Sequence, residues 1–322
     1  MQAQGDLMRK LYSTLGTLII ILSLFAATAA FAAGETDKPV FYFGVLSDAH
    51  TRPDPDDPHN KAFVKVLKAM GEHKPALDFI INLGDSVDQL FLPGRHGAEK
   101  YLGPDKKPIP ILDLYNKTVR DNVKIPYYDV LGNHEFYWDV MWNPSIKRQK
   151  IEKIMLESRK EIGSMPGLYY SFDNGGFTII ALDSSSKATS HSDSWLGGFD
   201  NAQLDWLEAQ LKRGRPAILF FHHYPATPVV TKLMKGGHMI PAADRIFKIL
   251  EANKENVAAA IFGHGHHFIR DSIYGIPIYM AGSPGTAPGY TIVECKAPKS
   301  VSIFNEADIK YNESINRNEA GE

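Results

Sequence analysis

Val40-Phe41-Tyr42-Phe43-Gly44-Val45-Leu46-Ser47-Asp48-Ala49-His50 sets the pattern for the chain. An apolar run of strand length breaks off into a carboxylate and an imidazole two residues apart. On an extended strand end, side chains at i and i+2 project to the same face. Asp48 and His50 therefore present their donor atoms together. The design recurs four times. Leu77 to Leu83 runs into Gly84-Asp85-Ser86-Val87-Asp88, and Pro126 to Leu131 into Gly132-Asn133-His134-Glu135. Ala217 to Phe221 runs into His222-His223-Tyr224-Pro225, and Ala258 to Phe262 into Gly263-His264-Gly265-His266.

Helical spacing fills the intervals. Asn60 to His73 places Phe63, Val64, Val66, Leu67 and Met70 on one side, and Asn201 to Arg213 turns Leu204, Trp206, Leu207 and Leu211 inward. Ser145 to Ile162 and Pro241 to Asn253 read as further helices. Leu168 to Phe172 and Phe177 to Leu182 form a hairpin around Asn174-Gly175-Gly176. Shorter strands are expected at Ile276 to Met280, Tyr290 to Glu294 and Val301 to Phe304. Alternating strands and helices make an α/β fold. In open α/β sheets ligands bind beyond the carboxyl ends of the strands, so the five polar strings should converge although they lie far apart in sequence.

Of 322 residues, 44% are hydrophobic, which is enough for a sizeable core. Lys plus Arg number 35 against 37 Asp plus Glu. With no basic excess, bulk electrostatic binding to nucleic acid is not expected. Cys295 is the single cysteine, which excludes an intramolecular disulfide and a thiolate zinc cluster. It reads as a buried small hydrophobe. Arg9 and Lys10 precede an apolar run through Leu18-Ile19-Ile20-Ile21-Leu22 that ends in Ala30-Phe31-Ala32. This reads as a secretory signal peptide over residues 1–32, cut after Ala32. The product would be periplasmic or secreted, with no stable membrane insertion after the cut. Residues 33–322 would form a single domain with a polar tail from about residue 306. Oligomeric state is not encoded in any recognisable pattern.

The donors in the strings are oxygen and imidazole nitrogen, which suit zinc, manganese or iron. Asp48/His50 and His264/His266, joined by Asp85, Asn133 and one further histidine, supply seven ligands. Seven is too many for one zinc-like ion and right for two divalent ions, if one carboxylate bridges them. Two such ions, two carboxylates and a bridging hydroxide leave a net charge of about +1, which attracts a phosphate ester. Water bridging the ions becomes a nucleophile near neutral pH.

The ordered strings D-x-H, G-D-x-x-D, G-N-H-E, a strand ending in His, and G-H-x-H resemble the calcineurin-like metallophosphoesterase superfamily. They span Asp48 to His266, most of the chain that follows the signal peptide. The resemblance implies a four-layer α/β/β/α sandwich, with two mixed β-sheets packed face to face and flanked by helices. It implies that Asp48, His50 and His266 hold one metal, that Asn133, His223 and His264 hold the other, and that Asp85 bridges them. His134 would approach the scissile phosphate as transition-state stabiliser or general acid, and Asp88 would orient it. His222 and His223 end the same strand, so only one of them can face the metals. The family's H-x-P spacing, met by His223-Tyr224-Pro225, favours His223. Purple acid phosphatases carry tyrosine where this chain has Asp88, so their iron–tyrosinate centre is not expected.

The function implied is an exported, metal-dependent phosphoesterase acting on a small phosphomono- or diester, by attack of hydroxide bridging two metals. Alternatives are a nucleotide diphosphatase of the ADP-ribose/CDP-alcohol type, suggested by Phe136-Tyr137-Trp138, or a cyclic-nucleotide phosphodiesterase. A non-catalytic metal-binding module is the reading from a different class. Residues 89–122 read as a long connection, either a cap over the site or a surface excursion. Gly282 to Gly289 either lines the pocket or connects strands. His59, His73, His96, His191 and His238 read as surface histidines, and His267 as structural or as support for the ligands.

Overall fold

The computed structural model describes residues 40–88, 90, 111–136, 148–187, 196–233, 238–286 and 288–305. Five strands form the first sheet, in the order β11-β10-β1-β2-β3. They are β1 (Val40–Leu46), β2 (Phe79–Asn82), β3 (Tyr127–Asp129), β10 (Thr291–Lys296) and β11 (Ser300–Asn305). The central pairs β1/β2 and β2/β3 are parallel, and β10 and β11 add antiparallel at one edge. Six strands form the second sheet, in the order β4-β5-β6-β7-β9-β8. They are β4 (Tyr170–Asn174), β5 (Phe177–Ala181), β6 (Ala217–Phe221), β7 (Val257–Phe262), β8 (Ile269–Ile273) and β9 (Ile276–Met280). Its parallel centre, β5 to β7 and β9, is flanked by antiparallel β4 and β8.

Each central strand is buried on both faces, which is why it reads as an unbroken apolar run. On β1, Phe43 and Val45 point into the layer between the sheets, where they meet Phe79, Ile81, Ile218, Phe220 and Ile261. Phe43 stacks on Phe79 at 4.6 Å and meets Phe220 edge-on at 5.7 Å, so aromatic contacts join the two sheets. The outer face of the first sheet, with Leu46 and Ile80, is covered by α1 (Pro58–Gly71), α2 (Ile111–Asn122) and α3 (Arg148–Glu161). The outer face of the second, with Ile180, Leu219, Phe221 and Ala260, is covered by α4 (Asn201–Leu211) and α6 (Arg245–Ala252). A short α5 (Pro228–Leu233) follows β6. The expected architecture of two mixed sheets flanked by helices is thus observed.

Local chemistry sets the ends of these elements. Helix α1 begins two residues before the expected start, because Asp57 accepts the His59 N–H as N-cap and Pro58 supplies a preset φ. Helix α6 is shorter than the expected Pro241 to Asn253, because Asp244 caps it by accepting from the Ile246 N–H. Three elements were not expected, of which the short α5 is one. Helix α2 lies inside the connection read as a cap or excursion, and its Ile111, Leu112, Tyr115 and Val119 are buried in the outer layer. Its residues 111–122 therefore belong to the scaffold, while 89 and 91–110 lie outside the described residues. Strand β8 is an edge strand with exposed Arg270 and Ser272, joined to β9 through Tyr274-Gly275 with φ of 52° and 83°. That pair of positive φ values suits a tight two-residue hairpin turn. The proposed signal segment and the tail from 306 also lie outside the described residues. Among the described residues no helix is long and apolar enough to cross a membrane.

Candidate metal centre

Beyond the strand ends, the loops are knitted to one another by their backbones. The Asp48 N–H donates to Gly84 O, the His50 N–H to Asp85 O and the Gly263 N–H to His222 O, at 2.9–3.0 Å. Such close approach leaves no room for side chains at two glycines. A Cβ at Gly132 would collide with the backbone and carboxylate of Asp85, and one at Gly263 with the Ser47 hydroxyl.

Two donor sets result, and Asp85 lies between them. In the first, His50 Nε2 and His266 Nε2 face each other at 3.1 Å, and His266 Nε2 lies 3.1 Å from Asp48 Oδ1. The second Asp48 oxygen is held by the Ser47 hydroxyl and by the His264 N–H, which fixes the carboxylate's orientation. In the second set, His222 Nε2 lies 3.0 Å from His264 Nδ1 and 2.9 Å from Asn133 Oδ1. Asp85 Oδ2 is 3.3 Å from His222 Nε2 and 3.8 Å from His50 Nε2. Its other oxygen accepts from the His134 N–H at 2.9 Å.

The expectation for His223 is corrected by this geometry. On β6, Ile218 and Phe220 face the layer between the sheets, whereas Leu219 and Phe221 face the helices. His222 continues the first alternation and His223 the second. His223 instead pairs its Nδ1 with Ser184 Oγ at 2.9 Å, and its ring packs under Gly197. Asp88 stands beside His134 in two ways. The His134 Nδ1–H donates to the Asp88 main-chain oxygen at 2.9 Å, and the Asp88 carboxylate lies 3.9 Å from that nitrogen and 3.6 Å from His50 Nδ1. The closest contact by which Asp88 orients the ring is its backbone oxygen.

Glu135 is a residue whose role the motif spacing does not reveal. It is fully buried, and its oxygens accept from the Gly132 and Ser86 N–H groups at 2.7 Å and from the Asp85 N–H at 3.2 Å. One carboxylate thus ties the Gly84 string to the Gly132 string. Phe136 is buried beneath the Arg148 guanidinium at 4.2 Å, and Arg148 also pairs with Asp183 at 2.6 Å. That is packing behind the loop, while Tyr137 and Trp138 lie outside the described residues. His96 and His191 lie outside them too. His267 is exposed and Cys295 is buried, as expected for the latter.

These donors fit divalent cations. Asp48 Oδ1 is buried without a well-formed hydrogen bond and faces His50 Nε2 at 3.8 Å and His266 Nε2 at 3.1 Å, a costly condition without a compensating ligand. Pairs of ring nitrogens aimed at each other across about 3 Å are arranged for a shared electrophile. Asp48 with His50 and His266, and Asp85 with His222 and His264, each bring three donor atoms within 4.8 Å of one another. Protonation agrees. Burial, with His134 nearby, lowers His50 to about 4, and burial with His223 and His222 holds His264 well below its usual value. Both are therefore neutral and ready to ligate. Burial pulls His222 down as well, but Asp85 and Asp48 outweigh it and carry the imidazole up to about 9. Metal must displace that proton. Uptake by the metal-free protein is therefore expected to weaken about tenfold per pH unit as pH falls below about 9. Competition titration against a metallochromic chelator between pH 7 and 9 measures this, and a flat profile would contradict it.

Residues 41–268 match the family model of the calcineurin-like phosphoesterases, and the chain belongs to that family. The resemblance read from the five strings is borne out. No curated protein matches the chain in sequence. Among solved structures, a Staphylococcus aureus protein described as a 5′-nucleotidase superposes with a TM-score of 0.50 at 17% identity, over 83% of this chain and 53% of that one. PhoD superposes with a TM-score of 0.53 at 13% identity, over 84% of this chain and 69% of that one. The chain thus spans about half the length of the first and about two thirds of the second. At these identities the likeness is one of fold.

Proposed function

We propose that this protein is an exported phosphoesterase that hydrolyses a small phosphomono- or diester at two divalent ions. Asp48, His50 and His266 would hold one ion, Asn133, His222 and His264 the other, and Asp85 would bridge. The observation that carries this reading is the position of Asp85 Oδ2, within 4 Å of an imidazole nitrogen from each donor set. Divalent ions held there would supply positive charge for a phosphoryl group and acidify water. The protein's own side chains do the rest. His134 is fixed through Nδ1 on the Asp88 carbonyl, so its Nε2, 3.9 Å from Asp85 Oδ2, turns toward the same space. An imidazolium there can donate that Nε2 proton to the departing oxygen. Export rests on the Arg9-Lys10 charge, the apolar run and Ala30-Phe31-Ala32.

The test uses protein from residue 33 onward with its metal content counted. It is assayed on p-nitrophenyl phosphate, its bis-ester and ADP-ribose, with and without chelator and added manganese. Two metals per chain with chelator-sensitive turnover is the expected result, and the preferred ester assigns the branch. Absence of bound metal together with no rescue by manganese would overturn the proposal in favour of a non-catalytic module. His134→Ala is expected to keep its metals and lose roughly 10²–10⁴-fold in kcat. Loss of metal from that variant would mean that His134 is a ligand.

A further inference from the structure

Seven non-glycine residues among those described adopt left-handed φ. Five of them, Asp48, His50, Asp85, His264 and His266, are the candidate ligands, and Tyr274 belongs to the β8–β9 turn. The seventh is His238, with φ of 65°. Histidine is among the residue types enriched in this region, and residues held there concentrate at functional sites. What holds His238 is visible. The Ile240 N–H donates to Tyr224 O at 2.9 Å and the Ala226 N–H to Ile240 O at 3.2 Å, so the segment is laddered to the chain leaving β6 just after His222 and His223. Ile240 is fully buried and anchors it. The His238 ring, itself exposed, is thereby placed 5.8 Å from the His264 ring, which Tyr224 flanks from a second side at 5.4 Å.

We propose that His238 is a substrate-contacting residue whose ring N–H donates to a non-bridging oxygen of the phosphoryl group bound at the metal centre. The proposal rests on the phosphoesterase reading above. An imidazole beside a candidate ligand, exposed to solvent and held by a backbone ladder, is suited to meet an anion arriving from outside. The ligand sets are complete without it, so its contribution is to substrate affinity.

The test measures inorganic phosphate binding by calorimetry on manganese-loaded protein, with metal content and the kinetics of p-nitrophenyl phosphate hydrolysis alongside. His238→Gly removes the ring and suits the positive φ. His238→Asn keeps an N–H donor on a residue that tolerates the same φ. The expected result is phosphate binding weakened about ten- to a hundredfold in His238→Gly. KM should rise more than kcat falls, metal per chain should be unchanged, and His238→Asn should recover most of the loss. If His238→Gly binds phosphate as wild type does while turnover persists, this inference fails and the phosphoesterase reading stands. Loss of metal from His238→Gly would also overturn it, since the ring would then be supporting His264. Metal-loaded wild type that neither binds phosphate nor turns over would overturn both.

Discussion

Asp85→Ala is expected to lose metal and activity together, with metal per chain falling from about two to one or less and turnover down by at least about 10⁴-fold. The reason is its position. Asp85 Oδ2 is 3.3 Å from His222 Nε2 and 3.8 Å from His50 Nε2, so one oxygen serves both donor sets. Burial opposes ionisation of this carboxyl, but His222 and His134 beside it hold its pKa well below the ordinary carboxylate value, so it is anionic throughout the working range. Alanine removes that charge and also the acceptor of the His134 N–H, so the Asn133 string loses a tether. Asp85→Asn separates the two effects, because its amide oxygen can still accept from His134 while the charge is gone. Metal analysis and p-nitrophenyl phosphate turnover on both variants decide the matter. An asparagine variant with two metals and activity within about tenfold of wild type would show that no bridging charge is needed.

Glu135→Ala is expected to cost the metal-free protein on the order of 3–5 kcal/mol of unfolding free energy, the largest loss of stability we expect from a single change at the site. Four backbone N–H groups, those of Gly132, Ser86, Asp85 and, at 3.4 Å, Val87, would lose their buried acceptor. Each buried unsatisfied donor costs about 1–3 kcal/mol, and water entering the vacated space offsets part of the sum. Burial, reinforced by the Asp85 charge, pushes the Glu135 carboxyl up to about 7. Its oxygens are engaged by backbone N–H groups of the two strings. Urea denaturation of metal-free protein measures the loss without confusion from metal release. A change below about 1 kcal/mol would show that the two strings hold their register without Glu135.

The candidate ligands and the scaffold around them differ in how far they could be read from residues alone. The strings at Asp48, Asp85, Asn133 and His264 stand out because metal chemistry demands particular donor atoms and tolerates few replacements. Helix α2 was legible in principle, since Ile111, Leu112, Tyr115 and Val119 fall on one helical face just after Pro110, with Asp113, Lys117 and Arg120 on the other, but the expectation of one long connection over residues 89–122 passed over it. Strand β8 stayed hidden because an edge strand needs only weak alternation.

The ordered motif strings carried the resemblance to the family, and strand spacing with donor chemistry by itself marked the alternating α/β pattern and six of the seven residues proposed as ligands. Tertiary structure alone decided between His222 and His223. Ala217 to Phe221 is apolar at every position because both faces of β6 are buried, so its sequence carries no alternation from which a face can be assigned. The same holds for Glu135, which adjoins His134 in its string, because only folding brings its carboxylate against the backbone N–H groups of Gly132, Ser86 and Asp85.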